Sequence, residues 1–184
     1  MNAEKFAGKL VRLAVLDPEK DSELWARWNR DSEYQQLLDW GPSKLYSPAQ
    51  AREWIEKGNA GSFTFSIHSL ADDRIVGFID LDGINWTAGD GWLGVGIGER
   101  EYWGKGYGSD AIQILLRFAF EELNLKRISL NVFEYNERAI KCYEKLGFQH
   151  EGRQRQLLNR FDRRWDMLYM GILRSEWEAK NSSN

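Results

Sequence analysis

The stretch of residues 93–109, L-G-V-G-I-G-E-R-E-Y-W-G-K-G-Y-G-S, holds the strongest local signal in the chain. It begins as an apolar strand that alternates with glycine, passes through a short charged turn and ends in a glycine-rich loop. An amphipathic helix follows at once. Strand, glycine loop and helix start together form an anion site, because the unpaired N–H groups of a first helical turn converge there. Gly104, Gly106 and Gly108 are expected to remove the Cβ atoms that would hold a bulky phosphate off the backbone. Ser109 is expected to add a hydroxyl at the helix entry.

Spacing excludes two familiar phosphate loops. A nucleoside-triphosphate loop needs G-x-x-x-x-G-K-[ST], but Gly98 lies one residue too far from Gly104-Lys105, and Gly106 stands where Ser or Thr belongs. A dinucleotide loop needs G-x-G-x-x-G, and here the third glycine, Gly108, comes one place early.

Composition narrows the class further. The 184 residues suit one domain with a real core, and 42% hydrophobic with 29% charged residues is ordinary for a globular chain. A net charge of −3 argues against general nucleic-acid binding and mildly suits a cationic partner. Nine tryptophans are many, so some are expected in the core or lining a pocket. The single cysteine, Cys142, forms no internal disulfide, and His68 and His150 lack a ligand-like spacing, so no metal is expected. No leader or membrane-length apolar run is read, which gives a cytoplasmic expectation and no membrane partner.

Taken in order, residues 9–14 alternate as a first strand. Asp17-Pro18 opens a helix striped by Leu24, Trp25 and Trp28, and residues 31–40 read as a second, irregular helical piece. Ser47-Pro48-Ala49-Gln50 is a capping box with proline at the first helical position, which starts a helix over 48–57. Trp25, Trp28, Asp31, Glu33 and Trp40 read as helix packing with a solvated face, or else as a substrate lip. Residues 63–68 and 75–81 read as a hairpin, with Asp80 and Asp82 on one face near its end, either a solvated edge or an amine-binding pair. Residues 92–98 form the next strand, and 127–133 a strand parallel to it across a helical crossover. A helix over 136–146 ends at Gly147. A hairpin over 148–157 and 164–172, turning at 158–160, closes the chain.

The second constellation lies at residues 136–148, N-E-R-A-I-K-C-Y-E-K-L-G-F. Asn136 and Tyr143 are seven residues apart, two helical turns, and share one face about 10 Å apart along the axis. By themselves these are an N-cap and a buried aromatic with a bonded hydroxyl.

W-G-K-G-Y-G-S-D-A, then a strand, then N-x-x-A-x-x-x-Y-x-K-L-G-F together resemble the GNAT N-acetyltransferase superfamily, and within it the RimJ/RimL-type group. The resemblance covers about residues 9–175. It implies an α/β fold in which a central, mixed, mostly antiparallel twisted sheet carries helices on both faces. It implies one N-acetyltransferase domain over residues 8–177, and the tail over 178–184 reads from its residues as disordered. It further implies that acetyl-CoA is the acetyl donor. The pyrophosphate would lie on Trp103, Gly104, Lys105, Gly106, Tyr107, Gly108 and Ser109. Ile97 and Gly98 would flank the pantetheine arm in a slot that opens toward residues 130–132, with Asn131 and Asn136 also contacting the donor. A backbone N–H near Ile97 and Gly98 would hold the oxyanion, and Tyr143 would be the general acid. The acceptor would be a primary amine, a protein N-terminal α-amine first, with spermidine or another small amine as the alternative. An acyl-CoA sensor without turnover is a further alternative. A homodimer is a partner arrangement that similar proteins use. Two departures stand out: Trp103 replaces the usual Gln or Arg, and Trp92 replaces a frequent glutamate base. Asp80, Asp82 and Glu33 are therefore the candidate bases, and Lys105 and Arg100 candidate steering cations.

Overall fold

The computed structural model describes residues 3–58 and 61–182. Seven strands form one sheet: β1 (Val11–Val15), β2 (Phe63–Ser69), β3 (Ile75–Asn85), β4 (Asp90–Ile97), β5 (Arg127–Phe133), β6 (Gln149–Arg160) and β7 (Arg163–Leu173). Their order is β1-β2-β3-β4-β5-β7-β6. Every neighbouring pair is antiparallel except β4 and β5. The parallel pair is short: it holds Asp90, Gly91 and Trp92 against Arg127, Ile128 and Ser129 and then stops. Beyond that point β4 stays paired with β3, and β5 with β7. The two strands thus diverge as their apolar halves continue, leaving a slot between them.

Helices cover both faces. On one face lie α1 (Pro18–Trp28), α2 (Ser32–Leu38) and α3 (Pro48–Lys57). Asp17 caps α1 through the N–H groups of Glu19 and Lys20, and the Ser47–Gln50 capping box starts α3 where its sequence signature places it. On the other face, α4 (Tyr107–Arg117) and α5 (Glu137–Leu146) pack into the main core. Ile112, Leu115, Leu116 and Phe120 meet Leu93, Ile128, Leu130 and Val132 there, all buried. The crossover from β5 through α5 reaches β6, and β7 is inserted between those two strands.

Several boundaries differ from expectation for identifiable reasons. The first strand starts later than residue 9, because the N–H groups of Lys9, Leu10 and Val11 turn to the Asp110 carboxylate at 3.1, 2.7 and 3.0 Å. β3 runs on past Leu81 through an irregularity at Gly83, whose φ is +54°. The last hairpin turns at Phe161-Asp162 instead of 158–160, with φ of +56° and +54° at the two central residues. Phenylalanine rarely adopts that conformation, but Phe161 gains an edge-on contact with Tyr135 at 5.8 Å. The tail expected to be disordered from 178 is helical through Ser182 in α6 (Arg174–Ser182), with Trp177 packed on Phe120 at 5.3 Å. Residues 183–184 lie outside the described residues.

The long β6–β7 hairpin also shapes the opposite end of the molecule. From its tip, Arg160 donates to the carbonyls of Gln36, Asp39 and Gly41 at 2.6–3.3 Å and to the Tyr135 hydroxyl at 2.8 Å. Gln35 pins the same loop by bonds of 2.6 and 2.9 Å to the backbone of Lys44. These bonds hold the α2–α3 loop as a wall above the sheet.

Asp110 is buried and serves three backbone donors that have no other partner within the β1 ladder. Asp110→Ala should therefore lower the unfolding free energy by about 3 kcal/mol or more, since charge-assisted bonds and their orphaned donors are both lost. Urea unfolding followed by tryptophan fluorescence measures this; a change below about 1 kcal/mol would show that the clamp is dispensable.

Candidate active site

A single cleft of about 1230 Å³ runs from the glycine loop across the slot to the wall formed by α1–α3. Its two halves differ in chemistry.

The first half is built by the loop and α4. Gly104 and Gly106 have φ of +71° and +91°, a left-handed geometry that glycine alone takes without strain. The first helical hydrogen bond of α4 runs from Asp110 N–H to Gly106 C=O at 2.9 Å. The N–H groups of Tyr107, Gly108 and Ser109 precede it and are free of the helical ladder. This is the donor set that a pyrophosphate needs, and the positive end of the α4 dipole adds to it. Gly108 does not need to be glycine for space: a Cβ there would make only an ordinary contact with Ile97 at 3.7 Å. The Ser109 hydroxyl does not face the loop either, since it bonds the Cys142 sulfur at 3.0 Å. Lys105 lines the cleft beside them.

Trp103 closes the wide end of the slot. Its indole N–H donates to the Ile97 carbonyl at 2.6 Å, and its ring lies under the guanidinium of Arg138 at 4.0 Å. Arg100 packs against the same ring at 4.9 Å, but it is tied to Asp31 at 2.6 and 2.7 Å and to Glu33 at 2.6 Å. Arg100 and Glu33 thus neutralise each other instead of steering a donor or taking a proton. Arg138 was not singled out by motif; only its place two residues after Asn136 could have marked it.

The strand register corrects the expectation for Gly98. Its N–H donates to Val76 at 2.9 Å, and a Cβ on it would fall 2.1 Å from the Trp28 ring. Gly98 exists for close packing and is not among the residues lining the cleft. Alternation along the antiparallel ladder then turns the N–H groups of Val95 and Ile97 away from β3 and into the slot. These backbone donors face the slot without a partner in the β3 ladder.

Across the slot, Asn136 caps α5 by accepting the Ala139 N–H at 3.3 Å, and it lines the cleft. Tyr143, on the same helix, is 8% exposed and packs edge-on to Phe148 at 5.8 Å. The bonded hydroxyl expected for it is not seen: among the described residues it has no hydrogen-bond partner, and it lines the cleft. Burial pushes its phenol well above the usual tyrosine range, so it stays protonated. Asn131 also lines the cleft but is exposed, on the face of β5 that points away from α5.

The second half of the cleft lies on the α1–α3 face. Trp25 stacks between Trp54 at 4.5 Å and Phe78 at 4.6 Å, and Tyr34, Tyr46 and Trp92 complete an aromatic wall. Asp80 and Asp82 stand on its floor. Desolvation and then the Asp82 charge raise the Asp80 carboxyl to about 6, and burial also raises Asp82. The solvated-edge reading of this pair fails, because β3 continues beyond them to Asn85 and both are half-buried in the lining of the cleft. His68, by contrast, is satisfied by Ser66 and Arg12 at 3.1 Å each.

Residues 11–149 match the acetyltransferase (GNAT) domain family. The chain belongs to that family. It is 35% identical over 183 residues to the SPbeta prophage-derived uncharacterized N-acetyltransferase YokL of Bacillus subtilis (strain 168), spanning 96% of this chain and 97% of the relative. It is 29% identical over 163 residues to the uncharacterized N-acetyltransferase p20 of Bacillus licheniformis, spanning 86% and 90%. In fold it is similar to the spermidine N-acetyltransferase from Vibrio cholerae solved with CoA and spermine, with a TM-score of 0.80, 24% identity, and 91% and 98% of the two chains covered. The protein is thus an acetyl-CoA-dependent N-acetyltransferase with the mixed, helix-covered sheet of its family. No described helix is long and apolar enough to cross a membrane.

Gly106→Ala forces an L-residue into the left-handed region at the donor loop. It should weaken acetyl-CoA binding about tenfold and lower stability by about 1–2 kcal/mol. Isothermal titration with acetyl-CoA checks the first effect, and unchanged affinity would remove this loop from the donor site.

Proposed function

We propose that this enzyme acetylates the α-amine of a protein or peptide N-terminus, as the RimJ/RimL-type group does, with Tyr143 as the general acid. The observation that carries this reading is that the buried residue Tyr143 lines the cleft with no hydrogen-bond partner for its hydroxyl among the described residues, beside the slot where the β4–β5 ladder is broken. Acetyl-CoA supplies a thioester carbonyl that accepts the amine and expels a thiolate through a tetrahedral oxyanion. The loop amides of Tyr107, Gly108 and Ser109 hold its pyrophosphate, and the Asn136 amide reaches its pantetheine arm. The N–H groups of Val95 and Ile97 meet the oxyanion, a contribution that preorganised donors make without reorganisation. Tyr143, kept protonated by burial, gives its proton to the leaving sulfur.

Two features favour an α-amine. Its ordinary pKa of about 8 leaves far more neutral nucleophile near pH 7 than an alkyl amine of about 10.4. The aromatic wall of Trp25, Trp54 and Tyr46 offers apolar contact for a first side chain, and Trp54 remains 52% exposed at the open end where a longer chain would leave. The second reading is a polyamine acceptor. It rests on Asp80 and Asp82 in the floor, together with the fold likeness to a spermidine acetyltransferase.

Thermal unfolding with and without acetyl-CoA, followed by thiol release against peptides, spermidine and spermine, separates these readings. Donor at about 100 times its dissociation constant should add roughly 2.7 kcal/mol of stability. Peptides bearing a free α-amine should then release thiol, and their Nα-blocked forms should not. Turnover with polyamines alone would establish the second reading, and donor binding with no turnover would mark a sensor. Tyr143→Phe should reduce kcat by about 10²-fold with acetyl-CoA affinity nearly unchanged; full activity in that variant would take Tyr143 out of the mechanism.

A further inference from the structure

Among the described residues the cleft is lined by no glutamate or histidine, and its carboxylates are Asp39, Asp80 and Asp82, so the proton of the arriving ammonium needs an acceptor among these. We propose that Asp80, on β3, is the catalytic base, and that its carboxylate reaches the slot over Gly94 of the neighbouring strand. The inference rests on the acetyl-transfer reading above but not on which amine is the acceptor.

Geometry carries it. Asp80 pairs directly with Gly94 across the β3–β4 ladder. A Cβ on Gly94 would lie 2.5 Å from Asp80 Oδ1, so the carboxylate leans over β4 into the space that the missing side chain leaves. Strand spacing is about 4.8 Å, and Gly94 lies just beyond the last β4–β5 pair, at the rim where the slot opens. Asp80 alternates with Ile79 and Leu81, which belong to the core on the α4–α5 side, where Tyr143 also packs. Asp80 and Tyr143 therefore approach the slot from opposite faces of the sheet. An amine entering from the aromatic half meets Asp80 first. The leaving sulfur, on the other side, meets Tyr143.

The surroundings keep this carboxylate reactive. No arginine or lysine pairs with it among the described residues. Its neighbours are Asp82 on the same strand, uncharged Thr64 across the β2 ladder, Gly94 and Trp92 on β4, and from α2 the Tyr34 phenol over Gly96. Burial raises the Tyr34 phenol, so it stays neutral, and Asp39 and Lys44 line the cleft farther along the loop. Burial and the like charge of Asp82 lift Asp80 to about 6, high enough to accept a proton and low enough to be ionised at neutral pH.

The proton balance closes with these two groups. The acceptor arrives with three protons on nitrogen. Asp80 takes one and passes it to solvent, and the freed lone pair forms the N–C bond. As the C–S bond breaks, Tyr143 protonates the thiolate, and the second nitrogen proton replenishes Tyr143. The third remains on the amide product.

The experiment is a pH–rate profile of kcat/KM for the acceptor, at saturating acetyl-CoA, in wild type, Asp80→Asn, Asp82→Asn and Gly94→Ala. Wild type should rise through about pH 6 and level off up to the amine's own pKa. Asp80→Asn should lose the limb near 6 and fall about 10²–10³-fold at pH 7. Its deficit should shrink as pH passes the amine's pKa, where the nucleophile arrives neutral. Asp82→Asn should keep the limb but move it to lower pH, because a like charge is removed. Gly94→Ala, whose methyl displaces the carboxylate, should resemble Asp80→Asn. In donor-free protein, carbon NMR of the aspartate carboxyls should show one titration near 6 that vanishes in Asp80→Asn. Acetyl-CoA affinity should stay within about threefold throughout. A deficit in Asp80→Asn that is the same at every pH, or a wild-type limb that survives the substitution, overturns the proposal. Absence of thiol release by wild type with every amine would instead overturn the transfer reading on which it rests.

Discussion

Hydrogen bonding between β4 and β5 stops after Trp92 and Ser129, and both strands go on without each other. Inside a protein, unpaired strand edges are unfavourable, because each N–H and C=O requires a partner. The interruption persists because each strand keeps its other neighbour: β4 is held by β3 and β5 by β7. Trp103 satisfies the Ile97 carbonyl at the wide end with a side-chain donor. What remains unpaired is a short row of backbone groups facing a gap. In the proposed reaction the acetyl group is brought to that gap, and the rest of the fold positions chemistry around it.

Two chemically different surfaces meet there. One is cationic and backbone-rich: the amides at the start of α4, the Asn136 amide, and Arg138 flat against Trp103. It suits a diphosphate with a long polar arm. The other is aromatic and acidic, with Trp25, Trp54, Phe78 and Trp92 around Asp80 and Asp82. It suits an ammonium on an organic body. The sheet separates the two except at the slot, so in the proposed reaction donor and acceptor approach from different sides. Arg160 holds the wall of the acceptor side from the far end of the chain, which links the long β6–β7 hairpin to the active site through backbone carbonyls.

The strand–glycine loop–helix unit and the second helix with Asn136 and Tyr143 were legible in sequence, because their signals are local: glycine spacing, cap residues and helical periodicity. The capped helix over 48–57 was legible for the same reason. Asp80 was legible only as one of three candidate bases beside Asp82 and Glu33, since singling it out depends on Gly94 in a partner strand and on β3 continuing past an irregularity at Gly83. Gly98 looked like part of the donor site by proximity, whereas Trp28, seventy residues earlier, is what requires it to be glycine. The turn at Phe161-Asp162 went unread because phenylalanine is a poor left-handed residue, and only its contact with Tyr135 explains its presence. α6 carries no buried stripe of its own and depends on Trp177 meeting Phe120. Each failure is a contact between residues distant in sequence.

The placement of donor and acceptor on opposite faces of the slot is tested by a crystal structure with a bisubstrate inhibitor, coenzyme A joined through its sulfur and an acetyl bridge to a peptide α-amine. Pyrophosphate is expected on the amides of Tyr107, Gly108 and Ser109, and the bridge in the gap between β4 and β5. The sulfur should face Tyr143 and the nitrogen Asp80. A bridge lying outside that gap, or sulfur and nitrogen on the same face of the sheet, would contradict it.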